Sequence, residues 1–311
     1  QEDVRFCRLA LVIIDEQHRF GVSQRGALRQ KGYSPHMLVM TATPIPRTLS
    51  LTLYGDLDLS IIDELPPGRQ PIQTYIVTNR ERERAYQFVR SQVAQGHQAF
   101  IICPLVEESE NIEARSAVAE YERLSKEVFP DLRLGLLHGR MSAEEKEEVM
   151  RRFQAGDLDI LVSTAVVEVG IDVPNATVML IEGADRFGMA QLHQFRGRVG
   201  RGSAPSYCLL VAENAGQDAW ERLRAVAESQ DGFALAEKDL ELRGPGEFFG
   251  TRQSGLPDVH MAGTADIRLL ELARREAYHL LEQDPELSRP EHQALRRRLE
   301  RAWAQRQTDI S

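Results

Sequence analysis

Long apolar runs are missing from this 311-residue sequence. No stretch approaches the roughly 20 consecutive apolar residues that a membrane-spanning helix needs, so none is expected. A basic leader is missing as well: Gln1-Glu2-Asp3 is acidic where a secretory signal is positively charged. Cysteine is scarce. Cys7, Cys103 and Cys208 stand far apart, each in or beside an apolar run. That spacing argues against a disulfide framework or a cysteine metal site and predicts buried free thiols in a reducing cytoplasm. An excess of positive charge is also absent, since 38 Lys and Arg face 47 Asp and Glu, for a net charge of −9. This balance argues against nonspecific wrapping of nucleic acid by the whole surface. It leaves room for a local basic track, because phosphate contacts need only a few well-placed donors. Internal repeats and low-complexity tracts are likewise missing. What is present is an ordinary globular composition, 42% hydrophobic and 27% charged.

Short apolar runs alternate with longer amphipathic stretches, which predicts an α/β fold with a mostly parallel sheet. Leu9 to Ile14 is continuously apolar, as expected of a strand buried on both faces, and Met37 to Met40 is a second such run. Leu65-Pro66-Pro67-Gly68 reads as a linker. Beyond it, strands are expected at Ile72 to Val77, Ala99 to Cys103, Arg133 to Leu137, Asp159 to Val162, Val178 to Ile181 and Tyr207 to Val211. Helices are expected at Glu81 to Ala94, Glu113 to Val128 and Ser142 to Phe153. Ser142 with Glu145 has the form of a capping box. This is one complete α/β domain. The piece before the linker has too few strands to be another and resembles the end of one. From about Ala215 the pattern turns helical and charged, and Arg289 to Gln307 reads as a charged amphipathic helix.

Several residue groups carry chemistry. Asp15-Glu16-Gln17-His18 follows a buried strand, where α/β folds place ligands. One carboxylate there can hold Mg²⁺ and the other polarise a water, although a solvated acidic turn fits the same four residues. Thr41-Ala42-Thr43-Pro44 follows the next apolar run, and its hydroxyls can bond the acidic turn; Thr-Pro turns are common in their own right. Ser163-Thr164 ends a strand and precedes Glu168-Val169-Gly170-Ile171-Asp172. Hydroxyls and N–H groups there suit phosphate, Gly170 permits close approach and Asp172 can accept from a ribose hydroxyl; an ordinary loop is the alternative. In Gln194-Phe195-Arg196-Gly197-Arg198-Val199-Gly200-Arg201, a helix would put Gln194, Gly197, Arg198 and Arg201 on one face. Two guanidiniums and an amide then suit the charge of a transferring phosphoryl group. Glycines argue against a merely solvated helix, because each costs about 0.5–1 kcal/mol there. Finally, Asp239 to Gly255 mixes glycines, Pro245 and two aromatics with charge, as in a structured loop or a packed connector.

In this order, these groups resemble the motifs of a superfamily 2 nucleic-acid helicase: Asp15 to His18 motif II, Thr41 to Thr43 motif III, Thr164 to Asp172 motif V, and Gln194 to Arg201 motif VI. Asp15 to Val22, Thr43 to Thr48 and Leu242 to Gly255 narrow the resemblance to the RecG family of bacterial branch-migration helicases. It covers nearly the whole chain and fades after about Gly263. The transcription–repair coupling factors share the motor, but His18 and Gly244-Pro245-Gly246-Glu247-Phe248-Phe249 favour RecG. The resemblance implies RecA-like parallel sheets of the P-loop NTPase type. Residues 1–66 would end a first RecA-like domain, 67–214 form a second, and 215–311 form a helical translocation region. It implies ATP and Mg²⁺ as cofactors, branched duplex DNA as substrate in recombination and repair, a cytoplasmic, nucleoid-associated setting, and single-strand-binding protein as a partner. Asp15 would hold Mg²⁺ through water, and Glu16 orient the attacking water. Gln194, Arg198 and Arg201 would reach the phosphates, and Gly170, Asp172 and His18 belong to the nucleotide site. Thr41 and Thr43, together with His18, would couple that site to domain closure. His138, Gly139 and Thr164 would face DNA, and Arg243, Arg252 and Gln253 would couple hydrolysis to movement. One departure matters: the sequence holds no G-x-x-x-x-G-K followed by Ser or Thr. The expectation is a C-terminal fragment that hydrolyses ATP poorly alone; a non-catalytic relative is the other reading.

Overall fold

The computed structural model describes residues 4, 6–16, 31, 35–42, 58, 60–62, 64, 69–104, 110–165, 172–213, 215–243 and 267–308. The chain divides into two compact units, Gln1–Pro44 with Asp63–Ala236, and Ile45–Ile62 with Glu237–Ser311.

The first unit holds two parallel sheets. Strands β1 (Leu11–Ile14) and β2 (His36–Val39) pair in parallel. Val12 and Ile14 are buried while Leu11 and Ile13 are exposed, so β1 is covered on one face rather than the two expected. A strand covered on one face alternates, and a run of apolar residues alone does not reveal this. Cys7, expected to be buried, is exposed in the bend before β1, whereas Cys103 and Cys208 are buried as free thiols.

The larger sheet has six strands: β3 (Gln73–Thr78), β4 (Gln98–Ile102), β5 (Leu134–Leu137), β6 (Ile160–Ser163), β7 (Ala176–Ile181) and β8 (Tyr207–Ala212). They lie in the order β3-β8-β7-β4-β6-β5, every pair parallel. The central strands β4, β6 and β7 are buried at every position, which is why they read as unbroken apolar runs. Phe100, Ile101, Leu161, Met179 and Leu180 have no exposed surface, and each such side chain contributes about 1.5–3 kcal/mol. Gln98, the polar exception on β4, is satisfied: its amide donates to the Phe153 and Leu158 carbonyls, both at 2.7 Å.

Helices α1 (Arg82–Ala94), α2 (Glu110–Arg123) and α3 (Ala143–Gln154) connect these strands. A π-turn over Leu124–Val128 extends α2 to the expected end. The Ser142 capping box forms: Glu145 N–H donates to Ser142 Oγ (3.2 Å) and Ser142 N–H to Glu145 Oε2 (2.8 Å). α4 (Met189–Arg196) precedes β8, and α5 (Gln217–Glu228) packs against β3. After α5 the Gln230 amide pairs with the backbone of Ile72, accepting from its N–H and donating to its carbonyl, both at 3.3 Å. α6 (Gly232–Arg243) follows.

In the second unit, α7 (Ile267–Gln283) and α8 (Gln293–Thr308) are joined by an elbow. The buried Asp284 carboxylate accepts from the Ser288 N–H and hydroxyl, the Arg289 N–H and His292 Nδ1, at 2.8–3.0 Å. The Arg289 N–H, with the His292 and Ser288 donors, holds its carboxyl well below the usual range. The charged C-terminal helix expected from Arg289 thus starts at Gln293, after a single turn at Pro290–His292.

Candidate functional site

Three groups of the expected site residues come together locally. The first lies at the shared end of β1 and β2. Register pairs Ile14 with Val39, so Asp15-Glu16 and Thr41 follow at the same end of the ladder. Glu16 N–H donates to Asp15 Oδ1 at 2.8 Å, and Glu16 sits at φ 50°, the left-handed region. A non-glycine residue there costs about 1–3 kcal/mol, a strain found where side chains are being aimed. Asp15 is exposed at the strand end, where a hydrated cation has room. His18 and Thr43 lie outside the described residues.

The second group lies at the ends of β5 and β6. Thr164 N–H donates to the Leu137 carbonyl (3.2 Å), which brings buried Thr164 beside His138 and Gly139. Lys146 Nζ donates to the Gly139 carbonyl at 2.7 Å. Burial, then the charge of Lys146, lowers the His138 pKa against an opposing pull from Glu145.

The third group surrounds the end of α4. A continuous helix from Gln194 to Arg201 does not form. α4 stops at Arg196, Gly197 caps it, and tight turns close from Arg198 N–H to the Phe195 carbonyl and from Val199 N–H to the Arg196 carbonyl. Gly200 then takes φ +75°, and a Cβ there would meet Ile72 Cγ1 at 2.8 Å. Left-handed backbone ends helices, and glycine adopts it without strain. Close approach thus falls at Gly200; a Cβ on Gly197 would make only ordinary contacts, at 3.4 and 3.5 Å. Gln194 remains on α4, while Arg198 and Arg201 lie in the loop after it, Arg198 half-buried and Arg201 exposed. Arg201 Nε donates to the Gly197 carbonyl (3.3 Å), and its Nη1 pairs with Asp172 Oδ1 at 3.3 Å. Gly170, Arg252 and Gln253 lie outside the described residues, as does the side chain of Arg243, the last residue of α6.

Sequence reasoning missed three residues around this loop. Arg196 is buried, and its guanidinium donates to the Val226 carbonyl (2.5 Å), the Ser229 carbonyl (2.9 Å) and His193 Nδ1 (2.8 Å). Arg69, just past the linker, donates from Nη2 to the Gly197 carbonyl at 3.2 Å. His193 is held neutral: burial, then the charges of Arg196 and Arg69, push its pKa down to about 4. An unfolded histidine titrates near 6.5, so between these values the unfolded chain takes up a proton that the folded domain refuses. Stability is complete above about pH 6.5 and falls as pH drops toward 4, by on the order of 2–3 kcal/mol. Melting of wild type and His193→Gln from pH 7 to pH 4 checks this. The variant is expected to show the shallower acid loss, and parallel curves would refute the assignment.

A buried ionic network at the end of β7 also escaped the sequence. Tyr86 Oη donates to Glu182 Oε1 (2.6 Å), Arg82 pairs with Glu182 Oε2 (2.9 Å), and Arg123 donates to Tyr86 Oη (2.7 Å). Burial raises the Glu182 pKa despite these donors. The network ties α1 and α2 to the strand end.

Comparisons with known proteins fit this geometry. Residues 81–203 match the helicase conserved C-terminal domain family. The structure of S. cerevisiae Dbp5 bound to RNA and ADP BeF3 matches with a TM-score of 0.51 at 15% identity, over 75% of this chain and 62% of that one. That likeness shows the fold. The six-stranded domain has the RecA-like fold of the helicase conserved C-terminal domain family. Residues 229–309 match the family described as ATP-dependent DNA helicase RecG, domain 3, C-terminal. The ATP-dependent DNA helicase RecG of Synechocystis is 57% identical over 288 residues, 92% of this chain and 35% of that protein. A structure of RecG bound to a three-way DNA junction is 54% identical, with a TM-score of 0.64, over 79% of this chain and 32% of that one. The chain belongs to the RecG family. It spans about a third of the length of these relatives.

Proposed function

We propose that this chain is the motor portion of an ATP-dependent DNA helicase that remodels branched duplex DNA in recombination and repair. Residues 1–66 complete a first RecA-like domain, 67–214 form the second, and 215–311 couple hydrolysis to movement. The observation that carries this reading is Arg201, oriented between the Gly197 carbonyl and Asp172, in a chain 54% identical to a RecG structure bound to a three-way junction.

In this reading Gln194, Arg198 and Arg201 approach the phosphates of ATP from the second domain. Glu16 orients the attacking water, its backbone strain fixing the direction of the carboxylate. Asp15 would hold Mg²⁺ through water, and the ion would neutralise phosphate charge when bound. Asp172 starts as the partner of Arg201 and yields it to phosphate; an ion pair this exposed is worth only about 0–1 kcal/mol. Thr41 senses the acidic turn, and His138, Gly139 and Thr164 form a DNA-facing rim.

The test joins this sequence to an upstream segment carrying a phosphate loop and measures ATP turnover with no DNA, with linear duplex and with a three-way junction. The junction is expected to stimulate most and to be unwound only with ATP. Stimulation no greater than by linear duplex overturns the branched-substrate reading.

A further inference from the structure

We infer that Arg69 is a further anion-binding residue of the loop after α4, acting with Arg201 on a phosphate group. The inference rests on the reading of that loop as phosphate-facing and adds a residue from outside every helicase-like motif.

Arg69 and Arg201 converge on one atom. Arg69 Nη2 lies 3.2 Å from the Gly197 carbonyl oxygen, and Arg201 Nε lies 3.3 Å from it. That carbonyl caps the end of α4, where the helix carries about half a negative charge. A single cation there is ordinary helix capping. Two full positive charges exceed what the helix end offers, and Asp172 is spent on Arg201 at 3.3 Å. Arg69 has no carboxylate within ion-pair distance among the described residues, although it is half-buried. Burial, then the charge of Arg201, disfavour its charged form. His193 is held neutral in part by Arg69, so it adds no third positive charge. The domain therefore holds two like charges together at a cost, and a bound anion offsets it. Phosphate fits two planar forks better than a carboxylate does, because it offers three acceptor oxygens.

The chain itself serves for the test, with inorganic tripolyphosphate as probe at constant ionic strength. Melting without the probe and calorimetric affinity for it are compared in wild type, Arg69→Gln, Arg69→Lys and Arg201→Gln. Wild type is expected to gain stability with the probe, as any ligand of the folded state confers. Arg69→Gln is expected to weaken probe binding about 10-fold or more, the loss of one charge-assisted contact. Without the probe it should melt no lower than wild type, because a repulsion has gone. Arg69→Lys should retain part of the affinity. A capping role alone predicts the opposite: lower melting without probe and unchanged affinity. If Arg201→Gln abolishes binding while Arg69→Gln leaves it intact, the site stands and Arg69 has no part in it. If neither variant alters binding, or wild type does not bind, the phosphate-facing reading falls as well.

Discussion

Changing Arg201 to alanine, in a polypeptide where this sequence follows a phosphate-loop segment, is expected to lower ATP turnover by about 10³–10⁵-fold. The KM for ATP should move far less. The argument starts from geometry. Arg201 leaves a loop fixed by Gly200, whose left-handed backbone and contact with Ile72 allow no side chain. Its Nε is anchored on the Gly197 carbonyl, so the outer nitrogens are held in one direction before any phosphate arrives. Charge on a transferring phosphoryl group is spread over its oxygens, and a pre-oriented fork meets it without reorganising. A contact made mainly in the transition state lowers kcat and kcat/KM together when it is removed. Steady-state kinetics with calorimetric ATP binding distinguishes the cases. Unchanged turnover would sink the role; weakened binding with unchanged kcat would make Arg201 a ground-state contact.

Arg196→Met is expected to destabilise the domain by about 3–5 kcal/mol without touching the nucleotide site. Arg196 is a buried cation with no carboxylate partner among its hydrogen bonds. Its charge is met instead by the Val226 and Ser229 carbonyls, in the last turn of α5 and at its cap. A helix end carries partial negative charge, so this geometry replaces an ion pair. Methionine fills the space of the stem but leaves two carbonyls and His193 Nδ1 without their donor. Unmet buried acceptors cost about 1–3 kcal/mol each, partly offset because the cation no longer has to be buried. Urea denaturation is the measure, read as a lower midpoint at constant slope. A variant within about 0.5 kcal/mol of wild type would show that water replaces the guanidinium. Arg196→Lys should recover part of the loss, since one ammonium reaches fewer acceptors.

The strands were legible wherever both faces are covered. Ala99 to Cys103 lies within one residue of β4 because continuous burial writes a continuous apolar run. Helix α3 was legible from Ser142 and Glu145, a local signal that needs no partner. The sheet order was not legible: β3 enters first yet pairs with β8, the last strand of the sheet, a contact no local spacing encodes. The alternating exposure of β1 was hidden because Leu11 and Ile13 are apolar although exposed. At the site, residue types were readable and their roles only partly. Helical spacing set Arg198 and Arg201 apart from Arg196, but the structural part of Arg196 shows only in its burial. The helical spacing that places Gly197 on a face continues through Gly200, whose left-handed backbone ends the helix instead. Arg69 carried no signal, since a lone arginine after a Pro-Pro-Gly turn resembles any charged connector.

The pairing of Gln230 with Ile72 has a consequence for the arginine loop. Ile72 leads into β3 and Gln230 follows α5, and one amide clasps these two points of the chain together. The arginine loop is pressed on Ile72 through Gly200, so the clasp that fixes Ile72 also fixes the floor beneath that loop.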